Sequence, residues 1–208
     1  MPTAEMHRLF IAIPVPETVK DAIQKAQTEL RAALSANMIR WTKREQFHLT
    51  LRFLGNVEAS RLENLAAAVQ DACGRFTVLW LRAERIGFFP AMRHPRVVWA
   101  WVHDAKEQLP LLQSAVQSAV ADYTMEAPEE RFTGHVTVGR AKTMTKGQAD
   151  VLAKQALQMV TRCFGEWTAD RVEIIRSEPS PAGSRYTTVA TAQLARGTTR
   201  SARAERNS

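Results

Sequence analysis

The sequence predicts an α+β fold of two packed sheet-and-helix lobes, and three observations carry that prediction. Strand-like and helix-like segments alternate along the 208 residues. The alternation has a similar rhythm in the two halves. Each half also holds one helix-flanked strand with the same pattern, His, apolar, Thr, apolar. Segments of both kinds, each apolar on one side, bury that side most economically by packing sheet against helix.

The elements follow in order. Residues 8–13 form a short apolar run stopped by Pro14 and Pro16, which reads as a strand and a break. Val19, Ile23, Ala26, Leu30 and Leu34 then recur at helical spacing. Residues 47–54 read as a second strand closed by Gly55 and Asn56, and 62–72 as an amphipathic helix with Ser60 as its N-cap. Two β-type stretches, 77–86 and 96–102, are joined by a connector, 87–95, that is longer and more aromatic than a minimal hairpin turn. A third helix fits 105–123, with Pro110 in its first turn or at a break before it. Residues 131–140 are strand-like, 146–163 fit a fourth helix, and strands near 171–177 and 186–194 close the chain. Residues 1–195 are thus expected to form a single bilobal domain, and 196–208 a basic, disordered tail.

Apolar residues make up 45% of the chain, enough for a sizeable core. The formal charge is +7, of which the tail's Arg196, Arg200, Arg203 and Arg206 against Glu205 supply +3, leaving about +4 on the body. Such a body suits a polyanionic ligand and equally suits plain solubility. Cys73 and Cys163 lie far apart and in no C-x-x-C pair, so neither a disulfide scaffold nor a zinc knuckle is suggested, and two half-buried free thiols are the expectation. The first residues lack a basic segment followed by a long apolar run, and no stretch approaches the length of a bilayer span. A soluble, cytoplasmic, monomeric protein that binds no membrane is expected.

Two segments carry the chemistry: His48-Leu49-Thr50-Leu51 and His135-Val136-Thr137-Val138, 87 positions apart. In a strand, residues two apart share a face, so each segment presents a His/Thr pair to one side and anchors itself in a core by the other. Two such matches among five histidines would arise by chance on the order of once in a thousand sequences of this composition. Histidine titrates near neutrality, so a facing pair can hold one neutral base and one protonated acid at the same pH. Displacement at phosphorus with an alkoxide leaving group needs both, and threonine hydroxyls beside them can donate to the non-bridging oxygens. Arg52 shares the parity of His48 and Thr50, and so either enters the cleft or faces solvent. No His, Cys, Asp or Glu cluster accompanies either motif, so neither a metal nor another cofactor is expected. The usual glycine-rich nucleotide loops and the serine-hydrolase elbow are absent as well. His7, His94 and His103 lack a Thr partner and read as structural or surface residues, with His94, on the aromatic connector, left open.

These residues resemble the 2H phosphoesterase superfamily and, more narrowly, the RNA 2',3'-cyclic phosphodiesterases, also called 2'-5' RNA ligases. The likeness covers the opening strand 8–13, Trp41 and the motif from His48 to Gly55, Phe89-Pro90 with the segment 95–99, and Phe132 to Arg140. It implies a bilobal α+β fold with pseudo-twofold symmetry, two lobes of antiparallel sheet flanked by helices, and both motifs facing one another in a central groove. The implied reaction is metal-independent hydrolysis of a terminal RNA 2',3'-cyclic phosphate to a 2'-phosphomonoester. By the same resemblance His48 protonates the leaving 3' oxygen, His135 activates water, Thr50 and Thr137 bind the phosphate, and Arg140 assists with charge. Strict alternation sets Arg140 on the face opposite His135, so its role requires the strand to end or bulge first. Family members commonly carry Pro before the second His; Gly134 stands there, which frees the backbone entering the motif. The same groups would also serve 2'-5' joining of tRNA halves or hydrolysis of a small cyclic nucleotide. A further alternative is an RNA-binding module without turnover, stacking bases on Phe88 and Phe89.

Overall fold

The computed structural model describes residues 4–34, 38–181 and 183–196. Within them the chain runs β1 (Met6–Pro14), α1 (Glu17–Ala32), β2 (Ile39–Trp41), β3 (His48–Glu58), α2 (Leu62–Cys73), β4 (Leu79–Phe89), β5 (Val97–His103), α3 (Gln108–Ala119), β6 (His135–Ala141), α4 (Lys146–Leu157), β7 (Cys163–Ala169), β8 (Arg171–Ser180) and β9 (Gly183–Gln193). The expected tail beyond Arg196 lies outside the described residues.

Every pairing between these strands is antiparallel, in the order β7-β4-β5-β6-β3-β1-β8-β9, with β2 attached to β6. That order is palindromic about the β3/β6 junction. One lobe is β3-β1-β8-β9 and the other is β6-β5-β4-β7, and they are joined by a single residue pair, Leu49 opposite Val136. The helices tie the lobes together more firmly than the strands do. Helix α1, which follows β1 of the first lobe, packs on β7 of the second, while α3, which follows β5 of the second, packs on β3 of the first. Accordingly one apolar core spans both lobes, from Leu9, Ile11 and Leu51 to Val98, Val136 and Trp167.

The expected elements are present, with two additions and three shifted starts. Strand β2 is only three residues long, too short to show periodicity. The fourth helix ends at Leu157; residues 158–162, which read as its last turn, form a turn instead, and Cys163 opens β7, an edge strand on β4. Its Thr145 start carries a complete capping box with Gln148. Helix α3 starts at Gln108 and not near 105, because the Asp104 carboxylate accepts from the backbone N–H groups of Gln108 (2.9 Å) and Leu109 (3.0 Å) and fixes the first turn there. Ser60 is not a helix cap; it lies in a short 3-10 turn before α2. Strand β6 begins at His135. Instead of two half-buried thiols, Cys73 is buried at the end of α2 and Cys163 is exposed at the start of β7. No helix of the described residues is long and apolar enough to cross a membrane.

Candidate active site

Both His/Thr motifs open a strand at the junction of the lobes. Leu49 and Val136 are buried partners across β3 and β6. Continuing that antiparallel register sets His48 across from Thr137 and Thr50 across from His135, all four on the face away from the helices. The two histidines are then diagonal neighbours, their Cβ atoms roughly 7 Å apart. Each imidazole then has a threonine across from it on the facing strand.

The local geometry repeats about the dyad. His48 Nδ1 donates to the Gln46 carbonyl at 2.6 Å, and His135 Nδ1 donates to the Thr133 carbonyl at 2.7 Å, in each case two residues upstream. A proton held on Nδ1 leaves Nε2 of both rings free to take up a second proton. Each ring is also wedged between aromatics. Phe10 lies 4.7 Å from the His48 ring and Tyr186 meets it edge-on at 5.5 Å. Phe89 meets His135 edge-on at 5.1 Å, with Trp99 at 6.2 Å. Burial among these rings disfavours the charged imidazole. It pulls the His48 pKa down to about 4, against the raising effect of the Gln46 carbonyl and with further lowering by the charges of His135, Lys20 and Arg140. His135 is also lowered, first by burial.

The two arginines part company at a pair of β-bulges. Along β3 the register slips at Leu51, which has no partner on β1, so Arg52 turns to the helix side and Phe53 takes its place on the cleft face. Arg52 is 7% exposed; it donates to the carbonyls of Ala127 (2.7 Å) and Glu126 and lies outside the groove. Along β6 the register slips at Val138 against β5, and Arg140 returns to the face of His135 and Thr137. The bulge that the Arg140 role required is therefore present. Arg52 does not join the other five residues, because strict alternation fails one residue before it.

Gly134, which precedes the second motif, has a steric reason to be glycine. A Cβ there would lie 2.3 Å from the Val102 carbonyl oxygen and 2.9 Å from Leu109 Cδ2. Its own carbonyl accepts from the Val102 N–H at 2.9 Å, so the close approach holds β5 to the start of β6.

A groove of about 230 Å³ joins these parts. His48, Thr50, Thr137 and Arg140 line it, with Arg40, Trp41 and Lys43 on one wall and Ser184 and Tyr186 of the β8–β9 hairpin on the other. His135 is not among the lining residues; its ring sits against Phe89 and Trp99, two positions before Thr137 in sequence. The hairpin is pinned over His48 by a hydrogen bond from the Gln46 side chain to the Ser184 carbonyl. The Tyr186 hydroxyl is pushed up by burial. Among the described residues no group of three His, Cys, Asp or Glu side chains is placed to hold a metal ion.

Sequence reasoning missed the aromatic cover. A signal for Phe10 existed: residues 9–13 are apolar on both faces, and Phe10, Ala12 and Ile175 form a second, small core on the cleft side. Tyr186 left no such signal, since it reaches the site only through the β8–β9 hairpin.

A family model described as LigT-like phosphoesterase matches residues 13–99. The chain is 28% identical over 180 residues to an RNA 2',3'-cyclic phosphodiesterase of Methanothermobacter thermautotrophicus, covering 86% of this chain and 95% of that one. It is 29% identical to the Thermus thermophilus protein of the same description, covering 86% of each. Among solved structures, TT0787 of Thermus thermophilus superposes with a TM-score of 0.73 at 26% identity, over 91% of this chain and 99% of that one. Escherichia coli LigT complexed with 3'-AMP shares the fold, with a TM-score of 0.71 at 21% identity and the same coverage.

Proposed function

We propose, from the premise that the chain belongs to the LigT-like phosphoesterases of the 2H superfamily, that it hydrolyses terminal RNA 2',3'-cyclic phosphates to 2'-phosphomonoesters with His48 and His135 as its acid/base pair. The observation that carries this reading is the matched pair of Nδ1–carbonyl hydrogen bonds, which leave Nε2 of both rings free on residues that flank the Leu49/Val136 pair. The names of the relatives supply the substrate class.

In this reading the phosphate sits between the imidazoles, its non-bridging oxygens accepting from the Thr50 and Thr137 hydroxyls and facing Arg140. Water attacks phosphorus and gives its proton to Nε2 of His135. The bond from phosphorus to the 3' oxygen breaks, and that oxygen takes the proton from Nε2 of a protonated His48. Proton exchange with solvent resets the pair. No step requires a metal ion, and the assignment of acid to His48 and base to His135 follows the family pattern.

The test is hydrolysis, in EDTA, of a short RNA ending in a 2',3'-cyclic phosphate, with the product phosphate located by NMR. Wild type should yield a 2'-phosphate, and His48→Ala and His135→Ala should each lose about 10²–10⁴ in kcat. An aryl phosphodiester, whose leaving group needs no proton, separates the roles: His48→Ala should keep most activity on it and His135→Ala should not. Full turnover on the cyclic phosphate by either variant would overturn the two-histidine scheme.

A further inference from the structure

Beyond the catalytic groove, Arg140 also lines a second, larger hollow of about 660 Å³. Its walls come from two separate stretches, the β4–β5 connector with Arg93, His94 and Arg96, and the segment after β6 with Lys142. Among the described residues no Asp or Glu lines either hollow. Arg93, Arg96, Arg140 and Lys142 are exposed and, among the described residues, none is in an ion pair, whereas Arg44, Arg82, Arg162, Arg171 and Arg176 all are. Like charges gathered without counter-charges repel, and a concave wall focuses their field on whatever anion enters.

The backbone under Arg96, Arg140 and Lys142 is hydrogen-bonded to neighbouring segments. The Arg96 N–H donates to Phe89 O at 2.7 Å, the Ala141 N–H to Arg96 O at 2.9 Å, and the Lys142 N–H to Met38 O at 2.9 Å. Arg96, Arg140 and Lys142 therefore spring from hydrogen-bonded backbone, and Arg93 from the turn that precedes them. The catalytic groove and this hollow share only Arg140 among their lining residues, so a phosphate beside His48, Thr50 and Thr137 lies in the first and not the second.

We infer that the channel past Arg140, walled by Arg93, Arg96 and Lys142, holds the phosphodiester backbone of the RNA nucleotides that precede the cyclic end. This rests on the reading of the cleft as a cyclic-phosphate site. The polymer is distinguished from a mononucleotide by phosphates that only it carries, so these three side chains set a preference for oligonucleotides. His94, in the same wall, offers a ring on which a base can stack.

The test compares wild type with the triple variant Arg93→Ala, Arg96→Ala, Lys142→Ala on two substrates: an RNA pentamer and a single nucleoside, each ending in a 2',3'-cyclic phosphate. A control triple variant, Lys25→Ala, Arg31→Ala, Lys154→Ala, removes as much charge from exposed positions on helices α1 and α4. The channel variant should lose tenfold or more in kcat/KM on the pentamer and less than twofold on the nucleoside, and the control should lose neither. The slope of log kcat/KM against log salt should flatten by about 2, at roughly 0.7 per lost phosphate contact on a single strand. An unchanged pentamer-to-nucleoside ratio in the channel variant would overturn the inference. If wild type cleaves neither substrate, the cleft reading fails by itself. The channel is then judged by fluorescence anisotropy with a labelled RNA pentamer ending in a 3'-phosphate. Tenfold weaker binding by the channel variant than by wild type and control supports it, and equal affinity rejects it.

Discussion

Burial without a neighbouring carboxylate gives His48 and His135 their character. A carboxylate beside an imidazole raises its pKa, whereas both rings here face aromatics, and His48 faces Arg140 and Lys20 as well. Both pKa values therefore lie below the ordinary 6.5, that of His48 at about 4. In the proposed mechanism the working state holds one proton, on His48. Burial lowers His48 more strongly, so in the free protein that proton rests mainly on His135 and the working form is the minor singly protonated one. Both singly protonated forms nevertheless peak together, at a pH between the two lowered values. The profile of kcat/KM should thus be a bell with its maximum on the acid side of neutrality, while kcat, which reports the complex, should peak at higher pH because a bound phosphate anion favours the imidazolium. A kcat/KM maximum at pH 8 would contradict this. Gly134 acts at the same scale by a different means. Gly134→Ala should cost about 1–3 kcal/mol by forcing Val102 and Leu109 apart, and should lower kcat because His135 follows directly. Gly134→Pro adds the same Cβ and should fare no better, despite matching the commoner family residue; a thermal melt at or above that of wild type would show that β5 can give way.

At the scale of the element, two bulges decide which arginine does what. The slips at Leu51 of β3 and Val138 of β6 are counterparts under the dyad, each three residues after its histidine. After each slip the residue at the fifth position from the histidine, Phe53 or Arg140, takes the cleft face. The fourth, Arg52 or Gly139, takes the buried side. The prediction is a double dissociation. Arg52→Ala should lower stability by about 2–3 kcal/mol, since the carbonyls of Glu126 and Ala127 lose a charged donor, yet keep kcat on cyclic phosphate within a few-fold of wild type. Arg140→Ala should leave the melting temperature near that of wild type and cut kcat/KM by tenfold or more. Reversal of the two patterns, read by chemical denaturation and by turnover, would place Arg52 at the phosphate. These bulges also mark where the sequence stops being legible. The motifs, their shared face and the alternation of elements follow from period-2 and period-3.6 patterns. A bulge adds one residue without altering composition, so the parity argument holds through Thr50 and fails at Arg52. Strands β2 and β7 escaped for a related reason: one has three residues, and the other begins where Val160 and Cys163 still continue a helical spacing.

At the scale of the molecule, crossing helices make one unit of what the sheet alone would leave as two. A single residue pair joins β3 to β6, too little to hold two lobes in register, but α1 and α3 each leave one lobe and pack on the other. Loss of either lobe would strip the helix that the other depends on, so the active-site halves cannot separate without exposing core residues of both. Unfolding should then be a single cooperative transition. The chain supplies its own local probe. Trp41, Trp80, Trp99, Trp101 and Trp167 account for all five tryptophans, and they lie on β2, β4, β5 and β7, all in the second lobe. Tryptophan emission therefore reports that lobe alone, while far-UV circular dichroism reports helices and strands of both. The two signals should fall together, with one midpoint and one slope in urea. Separate midpoints would mean that the lobes unfold independently and that the alignment of His48 with His135 rests on the Leu49/Val136 pair alone. Coincidence would locate the source of that alignment in α1 and α3, and a cavity placed under α1, such as Ile23→Ala, should then lower both transitions equally although Ile23 is far from the tryptophans in sequence.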